Sequence, residues 1–238
     1  MRNQGQTGRA ILRQTPESGA GRWIEFVDPV ETIFTCRLSE VLPALRRVEE
    51  AVGRGLYAAG FVAYEAAPAF DPALRTREPG PLPLLWFGLY RECRELGPEL
   101  DDLPEPSIPQ NWQADTTEDE YAGAIARIKE LIAAGDTYQV NYSLRLRGAF
   151  HGDPWAMFRD LIRAQPVPFA AFVDTGEHAI CSASPELFFR LDGERIACKP
   201  MKGTAGRGLW WSDDERRGAA LRESAKNRAE NVMIVDMM

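Results

Sequence analysis

Residues that bind zinc are scarce in this sequence. Its 238 residues include 2 histidines and 4 cysteines. They are His151, His178, Cys36, Cys93, Cys181 and Cys198. No two cysteines have the C-x-x-C spacing of a structural zinc site, so we expect no such site. Scattered cysteines without a disulfide framework are typical of reduced thiols in a cytoplasmic protein.

The chain also lacks an excess of basic charge and a long apolar segment. It has 28 Lys and Arg against 35 Asp and Glu, a formal net charge of -7. A protein that binds nucleic acid nonspecifically normally presents a basic face. No apolar run approaches the ~18 residues of a membrane span, and the N-terminus lacks the apolar core of a secretory signal. The composition therefore favours small molecules or proteins as partners over nucleic acid or membrane.

Enough apolar sequence is present to form a core, because 45% of the residues are hydrophobic and 10% are aromatic. The length predicts one large domain or two small ones. Residues 1–22 are rich in Gly, Gln and Arg, and we expect a disordered leader there. We expect an N-terminal region over 23–110 and a second region over 111–238, with a Pro-rich and acidic connection at 97–110.

The N-terminal region combines strand and helix patterns. Residues 23–29, 57–66 and 84–90 are rich in β-branched and aromatic residues and predict strands. Residues 38–52 repeat apolar side chains at helical spacing and predict a helix that packs on a sheet. Prolines and a glycine in 68–83 exclude regular structure there.

Helix start signals are clear in the second region. Thr117 and Glu120 have the spacing of a capping box, and the helix that follows should end at Gly135. Asp153 before Pro154 predicts a second helix start.

Two further helices are expected near the end of the chain. Ser212 and Glu215 have capping-box spacing and predict one helix, and another should begin near Ala225 and run to the last residue. Between these helices and the earlier ones, residues 169–200 contain four short strand patterns separated by turns, which predicts antiparallel neighbours.

The last helix has an apolar surface and no C-terminal cap. Its apolar residues are Val232, Met233, Ile234, Val235, Met237 and Met238. Such an ending fits a helix docked on its own domain, and it equally fits a chain cut within an element. The pattern alone leaves both interpretations open.

A glycine-rich segment, CKPMKGTAGRG (residues 198–208), contains Lys202. In a phosphate-binding loop the lysine follows the second glycine and a helix comes directly after, but Lys202 precedes the glycine and follows a predicted strand. Backbone N–H groups beside Lys199, Lys202 and Arg207 are suited instead to carboxylates. Lys202 is either a nucleophile or a solvated loop lysine, and the pattern alone favours the solvated lysine.

Two carboxylates are further candidates. Glu186, at the start of a predicted strand, is either a solvent-facing residue or a partly desolvated acid that protonates a leaving group, and the pattern alone favours the solvent-facing residue. Glu230 lies four residues after Lys226, the spacing of an ordinary helical ion pair. One carboxylate binds Mg²⁺ weakly, so a metal site at Glu230 needs oxygen ligands from elsewhere.

Three segments resemble successive motifs of the chorismate-utilising enzymes, in the same order. They are GDTYQVNYSLRL (135–146), SASPELFFRLDGERIACKPMKGTAGRG (182–208) and AKNRAENVMIVDMM (225–238). The resemblance covers 118–238, and three ordered motifs are far more specific than one. Residues 58–74 also resemble the N-terminal region of component I of the aminodeoxychorismate synthases.

Two positions distinguish activities within this family. Enzymes that add water to chorismate carry a general-base lysine where this chain has Gln139, which argues against hydration. Anthranilate synthases have alanine in PIAGT, whereas this chain has Lys202 in PMKGT, similar to the PIKGT of aminodeoxychorismate synthases. The resemblance thus implies a transferase that makes 4-amino-4-deoxychorismate from chorismate and ammonia, for para-aminobenzoate and folate biosynthesis. Anthranilate-type amination and a noncatalytic remnant are the alternatives.

The resemblance also implies roles for individual residues. Lys202 would be the nucleophile and Glu186 the general acid, while Gly203 and Thr204 would line the substrate pocket. Glu230 would be a Mg²⁺ ligand. Ammonia would come from a separate glutamine amidotransferase subunit, because the chain has no Cys-His-Glu glutaminase signature.

The implied fold is α+β, with two mostly antiparallel sheets packed face to face and helices outside. In this family the last motif continues into RND and a further half of the chorismate-binding domain. The resemblance therefore implies a C-terminally truncated fragment, in which 111–238 is the N-terminal part of the catalytic domain. We expect the fragment alone to be inactive or barely folded in its C-terminal half, because unpaired strands would leave open apolar edges.

Overall fold

The computed structural model describes residues 8–14, 21–27, 29–97 and 110–237. The chain divides into two compact units. The first combines Met1–Leu100 with Leu161–Met238, and the second is Asp101–Asp160.

The described residues form twelve strands and five α-helices. The strands are β1 (Arg9–Gln14), β2 (Arg22–Phe26), β3 (Glu31–Thr35), β4 (Tyr57–Val62), β5 (Leu85–Tyr90), β6 (Cys93–Leu96), β7 (Gln110–Ala114), β8 (Leu146–Ala149), β9 (Phe169–Asp174), β10 (Ala179–Ser184), β11 (Leu187–Asp192) and β12 (Arg195–Lys199). The helices are α1 (Leu38–Gly53), α2 (Glu118–Ala134), α3 (Pro154–Ala164), α4 (Trp211–Glu223) and α5 (Ala225–Met237), and a 3₁₀ helix covers Tyr64–Ala69.

Two antiparallel sheets form the centre of the first unit. One has the strand order β10-β9-β1-β2-β6 and the other β3-β5-β4. Their facing sides share a buried cluster made of Ala10, Phe26, Ala59, Trp86, Tyr90 and Val173. On the other side of the three-stranded sheet, α1 buries Val41, Ala44 and Val48 against Ile33, Leu85 and Leu89. The predicted α+β arrangement of two packed sheets with a helix outside is confirmed.

The prediction of a disordered leader over residues 1–22 is wrong for Arg9–Gln14. Arg9–Gln14 form β1, which pairs with both β2 and β9, and Ala10 and Ile11 are completely buried. The apolar run in this strand is too short to stand out in a polar context, and only pairing on both sides reveals it. Residues 1–7 and 15–20 lie outside the described residues.

The predicted boundary at residue 110 does not separate two folding units. The five-stranded sheet joins β1, β2 and β6 from the N-terminal region with β9 and β10 from the second region. Pairing between distant segments leaves no local signal in the sequence, which is why the boundary was misplaced. Residues 98–109, most of the expected connection, lie outside the described residues.

Helix ends follow the sequence signals, with one exception. The Thr117 hydroxyl accepts the Glu120 N–H, the Glu120 carboxylate accepts the Thr117 N–H, and Gly135 ends the helix at φ 83°. Asp153 accepts the Trp155 N–H at the start of α3. The predicted capping box at Ser212 is wrong, because α4 begins at Trp211, two residues before the start that an N-cap at Ser212 implies, and Trp210 makes no side-chain cap.

The second unit is built from β7, β8, α2 and the start of α3. The two strands pair antiparallel, and Asp115 extends the pairing by accepting the Arg145 N–H on its carboxylate at 3.0 Å. The segment 135–146 lies in this unit, where Tyr142 contacts Tyr121 edge to face. None of the helices in the described ranges is both long and apolar enough to cross a membrane.

Candidate functional site

The β11–β12 hairpin brings the first two candidate residues to the same end of one element. Leu187 pairs with Lys199, so the residue before Leu187 lies beside the chain that leaves Lys199. Gly193 makes the tight turn at the other end with φ 58°. Glu186 therefore enters the hairpin where the segment containing Lys202 leaves it.

Glu186 is fixed by hydrogen bonds on both its backbone and its side chain. Its carboxylate accepts the backbone N–H of Met201 at 3.1 Å. The Ser184 hydroxyl accepts the Glu186 N–H at 3.1 Å and donates to the Glu186 carbonyl at 3.0 Å. Glu186 is exposed in this structure, as the surface interpretation expects. Even so, its carboxylate is bound to the residue that directly precedes Lys202.

Lys202 lies in an irregular segment and is half-buried. Its carbonyl accepts the Thr204 hydroxyl at 3.4 Å, which folds the chain back after the lysine. No carboxylate in the described ranges forms an ion pair with Lys202. Within these ranges the amine is therefore available to a substrate, either to react with it or to bind one of its carboxylates.

The segment after Lys202, residues 203–208, is called the glycine loop below, and its first residue contacts α5. A Cβ on Gly203 would lie 2.4 Å from Cγ of Asn227, so only glycine fits without moving Asn227. Asn227 and Glu230 are three residues apart on the half-buried face of α5. The contact brings the glycine loop to the helix face that carries Glu230.

Asn227 is a site residue that the sequence analysis missed. The available signal was its spacing of three residues from Glu230 within the motif AKNRAEN. Ser224 is a second omission, since its hydroxyl accepts the Asn227 N–H at 3.3 Å and caps the start of α5.

Arg207 is not available for substrate in this arrangement. Its Nε and one terminal nitrogen donate to the two carboxylate oxygens of Asp214, each at 2.7 Å. Asp214 also accepts the Gly208 N–H at 2.8 Å. These bonds, that from Arg207 first, lower the pKa of Asp214 to about 2. The predicted group of three cations, Lys199, Lys202 and Arg207, is thus reduced by one.

Glu230 is the carboxylate in this part of the chain that was predicted to bind magnesium. Glu230 keeps a side chain that is 22% exposed, and Lys226 approaches it at 3.6 Å, which confirms the predicted pair. The described residues contain no group of three His, Cys, Asp or Glu side chains that could hold a metal by themselves. Because Mg²⁺ is bound through one or two carboxylates plus substrate oxygens and water, Glu230 fits as a single protein ligand.

Comparison with known proteins finds a family whose model matches most of the chain. Residues 23–238 match the family described as chorismate binding enzyme. Aminodeoxychorismate synthase component 1 of Escherichia coli is 36% identical over 149 residues, 63% of this chain and 32% of that protein. Anthranilate synthase component 1 of Thermus thermophilus is 36% identical over 141 residues, 56% of this chain and 30% of that protein.

A solved structure supports the same fold. Anthranilate synthase component I of Streptococcus pneumoniae superposes with a TM-score of 0.73 at 19% identity, covering 93% of this chain and 61% of that one. The chain thus spans less than two thirds of the relatives that it matches, and about a third of the two curated ones.

Proposed function

Because the chain belongs to the family of chorismate binding enzymes, we propose that it is component I of an aminodeoxychorismate synthase. In this function it converts chorismate and ammonia to 4-amino-4-deoxychorismate. The observation that carries the proposal is the hydrogen bond from the Met201 N–H to Glu186, which holds an acid beside Lys202. The name of the Escherichia coli relative supports it.

In the first step the Lys202 amine attacks C2 of chorismate, the double bonds shift, and the C4 hydroxyl leaves. Glu186 protonates that hydroxyl, which departs as water, and the lysine nitrogen gives up a proton as its bond to carbon forms. The adduct therefore equals the protein plus chorismate minus one water.

In the second step ammonia attacks C4, the double bonds shift back, and the bond between C2 and the lysine nitrogen breaks. Glu186, now a carboxylate, accepts a proton from the incoming nitrogen, and the departing lysine nitrogen takes up a proton equivalent to the one it lost in the first step, which regenerates the amine of Lys202. Two displacements place nitrogen at C4 without direct substitution of the hydroxyl.

Substrate binding in this proposal uses the start of the glycine loop. Gly203 and Thr204 would line the pocket, with backbone N–H groups suited to a carboxylate. Magnesium, when bound with Glu230 as one ligand, would offset the negative charge of the substrate carboxylates. Gln139 stands where hydrating relatives have a general-base lysine, which supports amination over addition of water.

The partner in this proposal is a glutamine amidotransferase subunit that supplies ammonia. The designation component 1 of the Escherichia coli relative supports a second subunit. We place the reaction in the cytoplasm, as a step toward para-aminobenzoate and folate, on the basis of the scattered cysteines and the sequence resemblance.

Mass spectrometry of the intact protein tests the role of Lys202. Glu186, Met201 and Lys202 all lie within this chain, so, in contrast to the inactivity that the resemblance implies for it, we expect wild-type protein to react. After incubation with chorismate and magnesium without ammonia, it should gain the mass of chorismate minus one water. A wild type that gains no mass would support the inactive fragment instead. Lys202→Ala should gain none, and the exposed lysine of α2 gives the matched control Lys129→Ala, which should react like wild type. An adduct that persists in Lys202→Ala would exclude this lysine as the nucleophile.

Anthranilate formation is the second candidate, because the Thermus thermophilus relative with that name is also 36% identical. Product analysis after addition of ammonia separates the two functions. 4-Amino-4-deoxychorismate that disappears in Lys202→Ala supports the first, whereas anthranilate that forms equally well with wild type and Lys202→Ala supports the second.

A further inference from the structure

The glycine loop is fastened to the start of α4 by two neighbouring aspartates. Asp214 accepts two hydrogen bonds from Arg207 and one from the Gly208 N–H. Asp213, which is 4% exposed, accepts the Leu209 N–H at 3.2 Å. The end of the loop is thus tied to the first turn of a helix by side chains from that turn.

Arginine residues of α4 complete the attachment. Arg216 and Arg217 both pair with the buried Asp213. Arg217 also donates to the Gly206 carbonyl at 3.4 Å. Asp213 is therefore neutralised from within its own helix, whereas the only guanidinium that bonds Asp214 among the described residues comes from the loop.

The backbone itself requires close contact at this point. A Cβ on Gly208 would lie 2.2 Å from the backbone nitrogen of Asp214. At the opposite end, Gly203 lies against Asn227 of α5. The loop is consequently held at both ends, by α5 beside Lys202 and by α4 beyond Arg207.

We propose that Asp214 is a positioning residue, which acts through Arg207 to hold Gly203 and Thr204 in place for a substrate carboxylate. The inference rests on the proposed function, which assigns those two residues to the pocket. Three glycines give this loop many backbone conformations, and a loop that must be ordered on binding weakens affinity. Fixing the loop beforehand removes that cost.

The same geometry assigns Arg207 to the structure of the loop. Its bidentate pairing with Asp214 leaves Lys199, Lys202 and backbone N–H groups as the donors for a substrate carboxylate. A lysine at this position would keep the charge and lose the paired geometry, since only guanidinium matches both carboxylate oxygens.

Hydrogen exchange tests the attachment independently of any activity. In Asp214→Asn, backbone amides of residues 203–208 should exchange at least tenfold faster than in wild type. Peptides from β9 and β10 should be unchanged, which shows that the fold is intact. Glu215→Gln removes the same charge from the next, exposed residue of α4 and should match wild type throughout. Unchanged exchange of the loop in Asp214→Asn would overturn the proposal.

Chorismate affinity in magnesium tests the positioning role. Asp214→Asn and Arg207→Gln should each weaken binding about tenfold, and the double variant should be no weaker than either single one, because both remove one shared interaction. Independent, multiplying effects would show that Asp214 does not act through Arg207. If Asp214→Asn disturbs β9 and β10 as well, Arg207→Gln takes its place, because it breaks the two bonds between Arg207 and Asp214 without altering α4.

The two proposals fail in different ways. Absence of chorismate binding by the wild type would reject the proposed function and with it the role in substrate binding, while loop exchange still decides whether Asp214 holds the loop. Normal chorismate binding by Asp214→Asn would reject the positioning role and leave the proposed function standing.

Discussion

Gly203 is a residue at which the Lys202 segment contacts α5. Its Cα faces the side-chain amide of Asn227, and no atom can be added there without displacing that amide. The restriction is steric, because φ of Gly203 is not in the left-handed region. The contact fixes how near the loop lies to the helix that carries Glu230.

Gly203→Ala should therefore destabilise the protein through Asn227. We expect a loss of about 1 kcal/mol, the low end for added bulk, because the atom that must move is the end of a side chain. The loss should vanish when Asn227→Ala is also present, as measured by urea unfolding. Gly206→Ala is the matched control, since its new Cβ would meet only Arg217 at 3.6 Å. Equal losses in both single variants would contradict this prediction.

Acid should weaken the attachment of Asp214. The pKa of this carboxyl falls from 3.8 to about 2 in the folded chain, mainly through Arg207. A carboxylate with a lowered pKa stabilises the fold above its unfolded pKa, and this contribution is lost as pH falls through the folded pKa. The stability difference between wild type and Asp214→Asn should shrink from about pH 4 toward pH 2. Urea unfolding across this range measures it, and a constant difference would rule out the pairing.

At the scale of elements, one buried carboxylate links three strands of the five-stranded sheet. Glu25 of β2 is 2% exposed and pairs with Arg9 of β1 at 2.8 Å and Arg94 of β6 at 2.7 Å. Both arginines reach solvent, so their charges are less costly than that of Glu25. The pairs cross the sheet on either side of β2 and tie the edge strand to its centre.

Glu25→Gln should lower the free energy of unfolding by about 2 kcal/mol, because two charge-assisted hydrogen bonds weaken in a buried position. Glu95→Gln makes the matched change in an exposed pair, 3.8 Å from Arg22, and should cost less than about 0.5 kcal/mol. Chemical denaturation of both variants gives the comparison. Similar costs at the two positions would show that burial of Glu25 is unimportant.

At the scale of the whole molecule, β1 and the strands β9 and β10 of the five-stranded sheet depend on each other. β1 pairs with β9 across a gap of about 160 residues of sequence, in register from Arg9↔Asp174 to Leu12↔Ala171. Contacts this distant in sequence form late and slowly during folding, because a long loop must close first. The stability of the first unit therefore rests on both of its sequence segments.

Ile11→Ala should destabilise this unit by about 3 kcal/mol, since Ile11 is completely buried and its removal leaves a cavity. Ile196 of β12 is 68% exposed, so Ile196→Ala is the matched control and should cost less than about 1 kcal/mol. When thermal unfolding of Ile11→Ala is monitored by hydrogen exchange, β9 and β10 should lose protection together with β1. Loss confined to β1 would mean that the two segments unfold separately.

Local signals in the sequence predicted the five α-helices and the candidate residues, although they missed β1 and misplaced the start of α4. Thr117, Glu120 and Gly135 act on atoms within a few residues of themselves, so the ends of α2 follow from the chain alone. The hairpin β11–β12, the motifs around Lys202 and Glu230, and the family resemblance could likewise be identified from the sequence. The α+β arrangement followed from that family resemblance together with the hairpin patterns.

Tertiary structure alone decided which of these residues meet. Only pairing on both sides made Arg9–Gln14 a central strand, and only the folded loop placed Met201 on Glu186, Asn227 on Gly203 and Arg207 on Asp214. The physical reason is that such contacts depend on distances between segments far apart in sequence or on loop geometry without a repeating pattern. The sequence by itself thus supplied the chemical groups of the site. The fold determined that Arg207 is bound to Asp214 while Lys202 forms no ion pair with a carboxylate among the described residues.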